Sequence, residues 1–381
     1  MVELDLGGGR GVTAEPSIPR EVGSPGLLTT PVGWSPPGPA SVLFSDGSGR
    51  LAVIGLGVDE YRVLHGYPAD PGRTAVLSPD GSQIALSVDE GVEIVDLVAG
   101  DGRTIDAESL DSDVLVPEAW LPDGSLILMA KSYAEDPMTE GIVHRLGVLN
   151  AENGLFEEFA SATYVISSPG FAVAVSPDGT QVAYQYESRV TIYNRLAEAK
   201  TVFDLPPQSV LAGKGAWSPD GSRIVIASIN PQRDREWSLT FLDPVTGLET
   251  ADSESLSLRG AALIRLIGWN SQTQKPIVVA YDAPHAPTWD LAREISTTVT
   301  PEQISRVSIY ELNYQGAGPT AIMQMLGDVD GVDVASVAID SGNFRAGGPP
   351  HQVTPIGSAL LGLLVLIVSI IGIVWARWGT A

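Results

Sequence analysis

The sequence predicts an all-β protein, a six-bladed β-propeller with seven blades as the alternative count, followed by one C-terminal transmembrane α-helix. Three observations predict it. A short turn phrase built on Pro-Asp-Gly recurs through the middle of the chain. Apolar segments of strand length flank each copy. Residues 356–375 form an uncharged apolar run near the end.

The turn phrase reads Ser78-Pro79-Asp80-Gly81-Ser82, Leu121-Pro122-Asp123-Gly124-Ser125, Ser176-Pro177-Asp178-Gly179-Thr180 and Ser218-Pro219-Asp220-Gly221-Ser222. A shortened copy reads Phe44-Ser45-Asp46-Gly47-Ser48, and a degenerate one Trp269-Asn270-Ser271-Gln272. Proline presets φ at the first corner of a tight turn, aspartate accepts local backbone hydrogen bonds, and glycine takes the φ > 0 position that closes a hairpin. Asp80, Gly81, Asp123, Gly124, Asp178, Gly179, Asp220 and Gly221 are therefore structural turn residues.

The positions Asp46, Asp80, Asp123, Asp178, Asp220 and Asn270 are separated by 34, 43, 55, 42 and 50 residues. A strand-rich period near 40–50 is the signature of propeller blades. The two strands of each hairpin are exemplified by Phe171–Val175 and Gln181–Tyr184. A third strand follows each pair, at 92–96, 146–150, 190–194, 239–243 and 307–311, and a weaker fourth comes next, as in Thr201–Leu205. Four antiparallel strands make a blade. Six units begin near 40, 73, 115, 170, 213 and 263. The first is short, and Val332–Ile339 is left over as a strand. It either completes the first unit and closes the ring or belongs to a seventh.

The S-P-D-G-[ST]-x-[IV]-[AV] phrase resembles the WD40-like Pro-Asp repeats of TolB-type β-propellers over residues 40–340. The resemblance implies that the phrase joins the first and second strands of a blade. It also implies binding or scaffolding more often than catalysis. The chain departs from TolB in having no separate N-terminal α/β domain and in adding the apolar C-terminal run.

Around the propeller, residues 1–39 hold eight Gly and seven Pro and are expected to be a flexible lead-in. Gly7-Gly8-Gly9-Arg10-Gly11 lacks the Lys-Ser/Thr of a phosphate loop and reads as linker. Residues 341–355 are a linker, and 376–381 a short tail. Between them Ile356–Trp375 carries 20 residues without a charge, about 30 Å as a helix, which matches the bilayer hydrocarbon. Pro355 stands at its entry, and Trp375 and Trp378 suit the interface. The membrane is thus an expected partner, with a single pass. Arg345 and Arg377 flank the run singly and give no orientation bias. No secretory signal is visible, so as written the propeller is expected on the cytoplasmic side. The alternative is an extracytoplasmic propeller preceded by a missing signal.

Composition excludes several function classes. Lys+Arg is 22 against Asp+Glu 46, a net charge of −24, which excludes a nucleic-acid partner. Charged residues are 18% and hydrophobic residues 44%, which is a folding chain rather than a disordered acidic one. Cysteine is absent, so disulfides, thiolate metal sites and a cysteine nucleophile are excluded. Lysine is far rarer than arginine, as in proteins from GC-rich bacterial genomes.

No catalytic constellation stands out, and neither a cofactor nor a metal is expected. The histidines His65, His144, His285 and His351 lack zinc-ligand spacing, and no G-x-S-x-G elbow occurs. Asp328-Val329-Asp330-Gly331-Val332-Asp333 has a misplaced glycine for a calcium loop and reads as an acidic turn.

Loop length is the remaining signal. Turns between second and third strands lie on the ring face opposite the Pro-Asp-Gly turns. Units three, five and six carry long ones, at 131–138, 230–237 and 282–301. Long loops on a rigid scaffold are where binding resides, and Arg, Trp and Tyr are the side chains that anchor interfaces. The candidate partner-binding residues are Tyr133, Asp136, Arg233, Arg235, Trp237, His285 and Trp289. The function expected is a membrane-anchored scaffold that binds a protein or other ligand, without evident catalysis. An enzyme or small-molecule sensor with a site at the channel mouth, or a structural spacer, are the alternatives.

Overall fold

The computed structural model describes residues 15–26, 29–46, 49–64, 70–134, 141–164, 172–230, 235–250, 256–283, 304–314, 318–326 and 329–348. Two short strands come first, β1 (Ile18–Pro19) and β2 (Glu21–Gly23). The first blade takes β3 (Ala40–Asp46), β4 (Leu51–Gly55) and β5 (Tyr61–Leu64). The second is β6 (Ala75–Leu77), β7 (Gln83–Val88), β8 (Gly91–Asp96) and β9 (Gly102–Asp106). The third is β10 (Val114–Trp120), β11 (Leu126–Tyr133), β12 (Ile142–Leu149) and β13 (Phe156–Tyr164). The fourth is β14 (Ala172–Val175), β15 (Gln181–Tyr186), β16 (Arg189–Asn194) and β17 (Ala199–Asp204). The fifth is β18 (Ser209–Leu211), β19 (Ile224–Asn230), β20 (Glu236–Leu242) and β21 (Leu256–Leu258). The sixth is β22 (Leu263–Trp269), β23 (Pro276–Asp282), β24 (Arg306–Glu311) and β25 (Thr320–Leu326). Then come β26 (Val329–Val334), the helix α1 (Ser336–Asp340) and β27 (Phe344–Arg345).

The sheet order β26-β3-β4-β5 shows how the ring closes. The C-terminal strand β26 is the innermost strand of the first blade, with Val332 opposite Phe44 and Val334 opposite Val42. The N-terminus adds a second closure. Strand β2 runs parallel along the outer edge of β25, and β1 runs parallel to β27. Closure leaves six blades, not seven. The leftover 332–339 is split: Val332–Val334 is strand, and Ser336–Asp340 is helix instead of the strand expected. The acidic turn expected at 328–333 is likewise replaced, since Val329–Val334 is this inner strand. The flexible lead-in expected over 1–39 is corrected from Ile18 onward, where β1 and β2 join sheets and both Ile18 and Val22 are fully buried.

In blades two to five the Pro-Asp-Gly phrase joins the innermost strand to the second. Its chemistry repeats almost atom for atom. Ser78 Oγ donates to Asp80 Oδ1 at 2.7 Å, and Ser82 N–H donates to the same oxygen at 3.0 Å. Gln83 N–H donates to Ser78 Oγ at 2.9 Å. Asp178 with Ser176 and Asp220 with Ser218 repeat the set. In the third blade Leu121 replaces the serine, and Asp123 accepts from Ser125 N–H at 2.9 Å and pairs with Arg195 at 3.4 Å. The Ser218 hydroxyl, then the Ser222 amide and hydroxyl, hold the Asp220 carboxyl down to about 2. Gly81, Gly124, Gly179 and Gly221 all have positive φ, at 77°, 82°, 71° and 68°.

A valine at Gly179 must adopt that φ, and its Cβ would also meet Pro122 Cδ at 2.8 Å. Gly179→Val is expected to cost at least about 1 kcal/mol. Urea unfolding checks this, and an unchanged midpoint would contradict the turn geometry.

Two copies of the phrase sit elsewhere than expected. Asp46 ends β3, the second strand of its blade, so its turn to β4 lies on the opposite ring face. Asn270 occupies the serine position and not the aspartate position, because Asn270 N–H donates to Lys275 O as Ser218 N–H donates to Arg223 O.

Blades pack face to face through apolar side chains, and three tryptophans tie successive inner strands together. Trp120 Nε1 donates to Val76 O at 3.1 Å, Trp217 Nε1 to Ala174 O at 3.3 Å, and Trp269 Nε1 to Gly215 O at 2.9 Å. Each donor blade reaches back to the one before. No helix among the described residues is long and apolar enough to cross a membrane. Ile356–Trp375 lies outside them.

Candidate functional site

The three long connections leave the ring on the face opposite the Pro-Asp-Gly turns, because each joins a second strand to a third. Asp136, Arg233, His285 and Trp289 lie outside the described residues. Of the rest, Tyr133 ends β11 with 48% of its surface exposed, and its amide donates to Asp113 Oδ2 at 2.7 Å. Arg235 Nη1 donates to Ala283 O at 3.0 Å, which brings the base of the unit-five connection against that of unit six. Trp237 is a correction. It lies in β20 with no exposed surface, and its indole N–H donates to Ala261 O at 3.0 Å, so a partner cannot reach it.

Charged groups that the sequence did not single out gather along the ring axis. Asp333, on β26, is fully buried. Its Oδ1 pairs with Lys214 Nζ at 2.7 Å, and its Oδ2 accepts Leu77 N–H at 2.9 Å. Lys214 also donates to Val334 O at 2.7 Å. Lys214 stands in the segment after β18 that lies along β22, where Leu266 N–H donates to Ala212 O and Gly215 N–H to Leu266 O. Arg265 of β22 approaches Asp333 at 4.0 Å and donates to the carbonyls of Gly72 and Val332. Four blades thus meet at one carboxylate. Burial lowers the Lys214 pKa, the Asp333 charge opposes that, and Arg265 adds to it. Arg73 pairs with Asp70 at 2.9 Å nearby, and burial raises the Asp70 carboxyl despite the two arginines.

A second group lies on the third blade. Glu118 occupies a bulge in β10 between Pro117 and Ala119. Lys131 and His144 stand directly opposite each other on β11 and β12, toward the face of the long connections. Burial pushes the Glu118 carboxyl up to about 8, against the opposing pull of Lys131. Burial lowers Lys131, with Glu118 opposing. Burial and then the Lys131 charge bring His144 down to about 4. Near neutral pH the set is a protonated carboxyl and a neutral imidazole beside a lysine whose pKa burial lowers. Among the described residues, neither Glu118 nor Lys131 has a side-chain hydrogen-bond partner, although both are half-buried. Such groups can donate to and accept from a polar ligand or move a proton within it. The sequence carried one signal of this: Glu118 is the lone charge in Val114–Leu121, an otherwise apolar strand.

Among the described residues no group of carboxylates and histidines is arranged to hold a metal ion. A cleft of about 620 Å³ runs between Thr29–Trp34 and the edges of the first two blades.

No protein-family model matches the chain, and neither does any curated protein sequence. Solved structures do resemble it. An oligogalacturonate lyase bound to manganese is 13% identical, with a TM-score of 0.46 over 72% of this chain and 70% of that one. A calcium-binding regucalcin from Agrobacterium tumefaciens is 13% identical, with a TM-score of 0.45 over 80% and 99%. A TolB-like protein from the same organism is 15% identical, with a TM-score of 0.41 over 78% and 98%.

Proposed function

We propose that the chain is a membrane-tethered propeller that binds a ligand on the ring face bearing the long connections. The observation that carries this reading is the group formed by Lys131 and His144 at that end of the third blade and by Glu118 deeper on β10, opposite Leu128 and Ile127. Its ionisable side chains are held away from their ordinary values, and two of them have no hydrogen-bonded partner among the described residues. A polar ligand entering there would satisfy them, and Tyr133 stands two residues along the same strand from Lys131. The tether is supported by the sequence alone, through the 20 uncharged residues of Ile356–Trp375. The ligand is a protein segment or a small polar molecule, as the donor and acceptor set suits both.

A catalytic reading is favoured by one of these features. A carboxyl whose pKa stands at about 8 is a competent proton donor near neutral pH.

The test is crosslinking in membranes that carry the full chain, followed by affinity purification, with the Tyr133→Ala/Lys131→Ala variant in parallel. Species recovered with the parent are expected to fall at least about tenfold in the variant, the equivalent of about 1.4 kcal/mol. Equal recovery from a variant of unchanged thermal stability would overturn the assignment of this face.

A further inference from the structure

We infer that the ring face carrying the Pro-Asp-Gly turns is the one turned toward the bilayer, so that the face of the long connections points away from it. This rests on the tether proposed above and adds the direction in which the ring is presented. The path of the C-terminal segment carries the argument. After β26 the chain crosses the Pro-Asp-Gly face from the axis toward the rim. Val337 N–H donates to Pro79 O at 2.9 Å, inside the turn of the second blade. Gln272 Nε2 donates to Ser341 O at 2.8 Å, from the equivalent turn of the sixth. Arg345 then locks onto the turn between β4 and β5, donating to Val58 O at 2.7 Å and to Asp59 at 3.1 Å. Tyr61 Oη donates to Gly348 O at 3.3 Å at the same end of the blade.

Turns between third and fourth strands share a face with the Pro-Asp-Gly turns in an antiparallel blade, so the chain is delivered to that side. Residues 349–355 alone separate Gly348 from Ile356. Even fully extended, eight steps reach at most about 28 Å. A blade strand of six to eight residues is itself about 20–26 Å tall. To reach the opposite face the linker would have to run straight down the side of the ring with almost nothing to spare. Toward the Pro-Asp-Gly face it has its whole length free. Pro349, Pro350 and Pro355 favour an extended spacer. The Pro-Asp-Gly face also bears Asp80, Asp123, Asp178 and Asp220, and these carboxylates oppose adhesion to anionic lipid. The ring therefore stands off the membrane on its linker.

The absence of cysteine makes the test direct. Leu196 and Ser188 are both exposed and lie just beyond opposite ends of β16, Leu196 toward the Pro-Asp-Gly face and Ser188 toward the other. Leu196→Cys and Ser188→Cys, each labelled with a donor dye, would be made in the full chain. The chains would be reconstituted in phosphatidylcholine vesicles with an acceptor dye on the headgroups. The two positions are about 20 Å apart along the strand, so energy transfer is expected to be at least about twofold stronger from the Leu196→Cys variant. Stronger transfer from position 188 would overturn the orientation, and so would equal transfer, which places the ring on its side. A chain that fails to float with the vesicles would overturn the tether and the orientation with it. A chain that floats with the reversed order overturns the orientation alone.

Discussion

Asp333→Ala is expected to destabilise the protein by about 3–5 kcal/mol, the range for breaking a buried ion pair from one side. The carboxylate is fully buried, and it is the one group that meets Lys214, Leu77 N–H and Arg265 together. Its loss leaves the Lys214 ammonium paired with nothing but the Val334 carbonyl, and the Leu77 amide without its acceptor. Both groups are held against β26 by Asp333, and the pairing of β26 with β3 closes the ring. Urea unfolding of parent and variant reads the loss as a lower midpoint at unchanged slope. The double variant Asp333→Leu/Lys214→Met is expected to recover much of it. An apolar pair of similar volume no longer buries an unpaired charge, and such exchanges are often neutral. A single variant within about 0.5 kcal/mol of the parent would show that Asp333 behaves as a surface group. It would remove the keystone role assigned to it.

The closure also shows what the sequence could and could not convey. The Pro-Asp-Gly turns were legible because their bonding is local. Ser78, Asp80, Gly81, Ser82 and Gln83 satisfy one another within six residues. Strand positions were legible for a similar reason, since β8, β16 and β24 are short runs rich in β-branched residues, and those residues are buried. Asp333 was not legible. Its partners come from three other blades, and alone it resembled part of an acidic turn. The Asp46 copy misled because composition repeats where topology does not. Its turn lies between the second and third strands of a blade whose first strand arrives from the far end of the chain.

Other signals were present but unread. In Glu236–Leu242 the alternation places Trp237 with Leu239 and Phe241, and all three are buried. The same period that marked the strand also excluded Trp237 from a binding loop. Trp120, Trp217 and Trp269 each stand two residues before the second position of the turn phrase, a spacing that marks the indole bonds between blades. For the candidate site, the rim was visible as loop length. The Glu118, Lys131 and His144 group was not, because it depends on the register of β11 with β12 and on a bulge in β10.

Glu118→Gln is expected to make the protein more stable than its parent in alkaline solution and equally stable in acid. The carboxyl stands at about 8 when folded, against an ordinary value of 4.5, chiefly through burial. Between those two values folding must take up a proton. The parent therefore loses stability as pH rises through this window, and the loss is complete above about pH 8. Glutamine has a similar shape and no proton to take up, so its curve lacks that slope. At roughly 1.4 kcal/mol per unit, discounted for a half-buried and partly solvated group, the gain is on the order of 3 kcal/mol. His144 contributes an opposite slope, between about 4 and 6.5, in both proteins and cancels from the difference. The measurement is thermal unfolding of both proteins across pH 4 to pH 9. The gap in Tm is expected to open from near zero to roughly 5 °C in favour of the variant. Parallel profiles would show that Glu118 ionises normally, with water reaching it freely. That would take away the protonated carboxyl on which both the binding and the proton-transfer readings of this face depend.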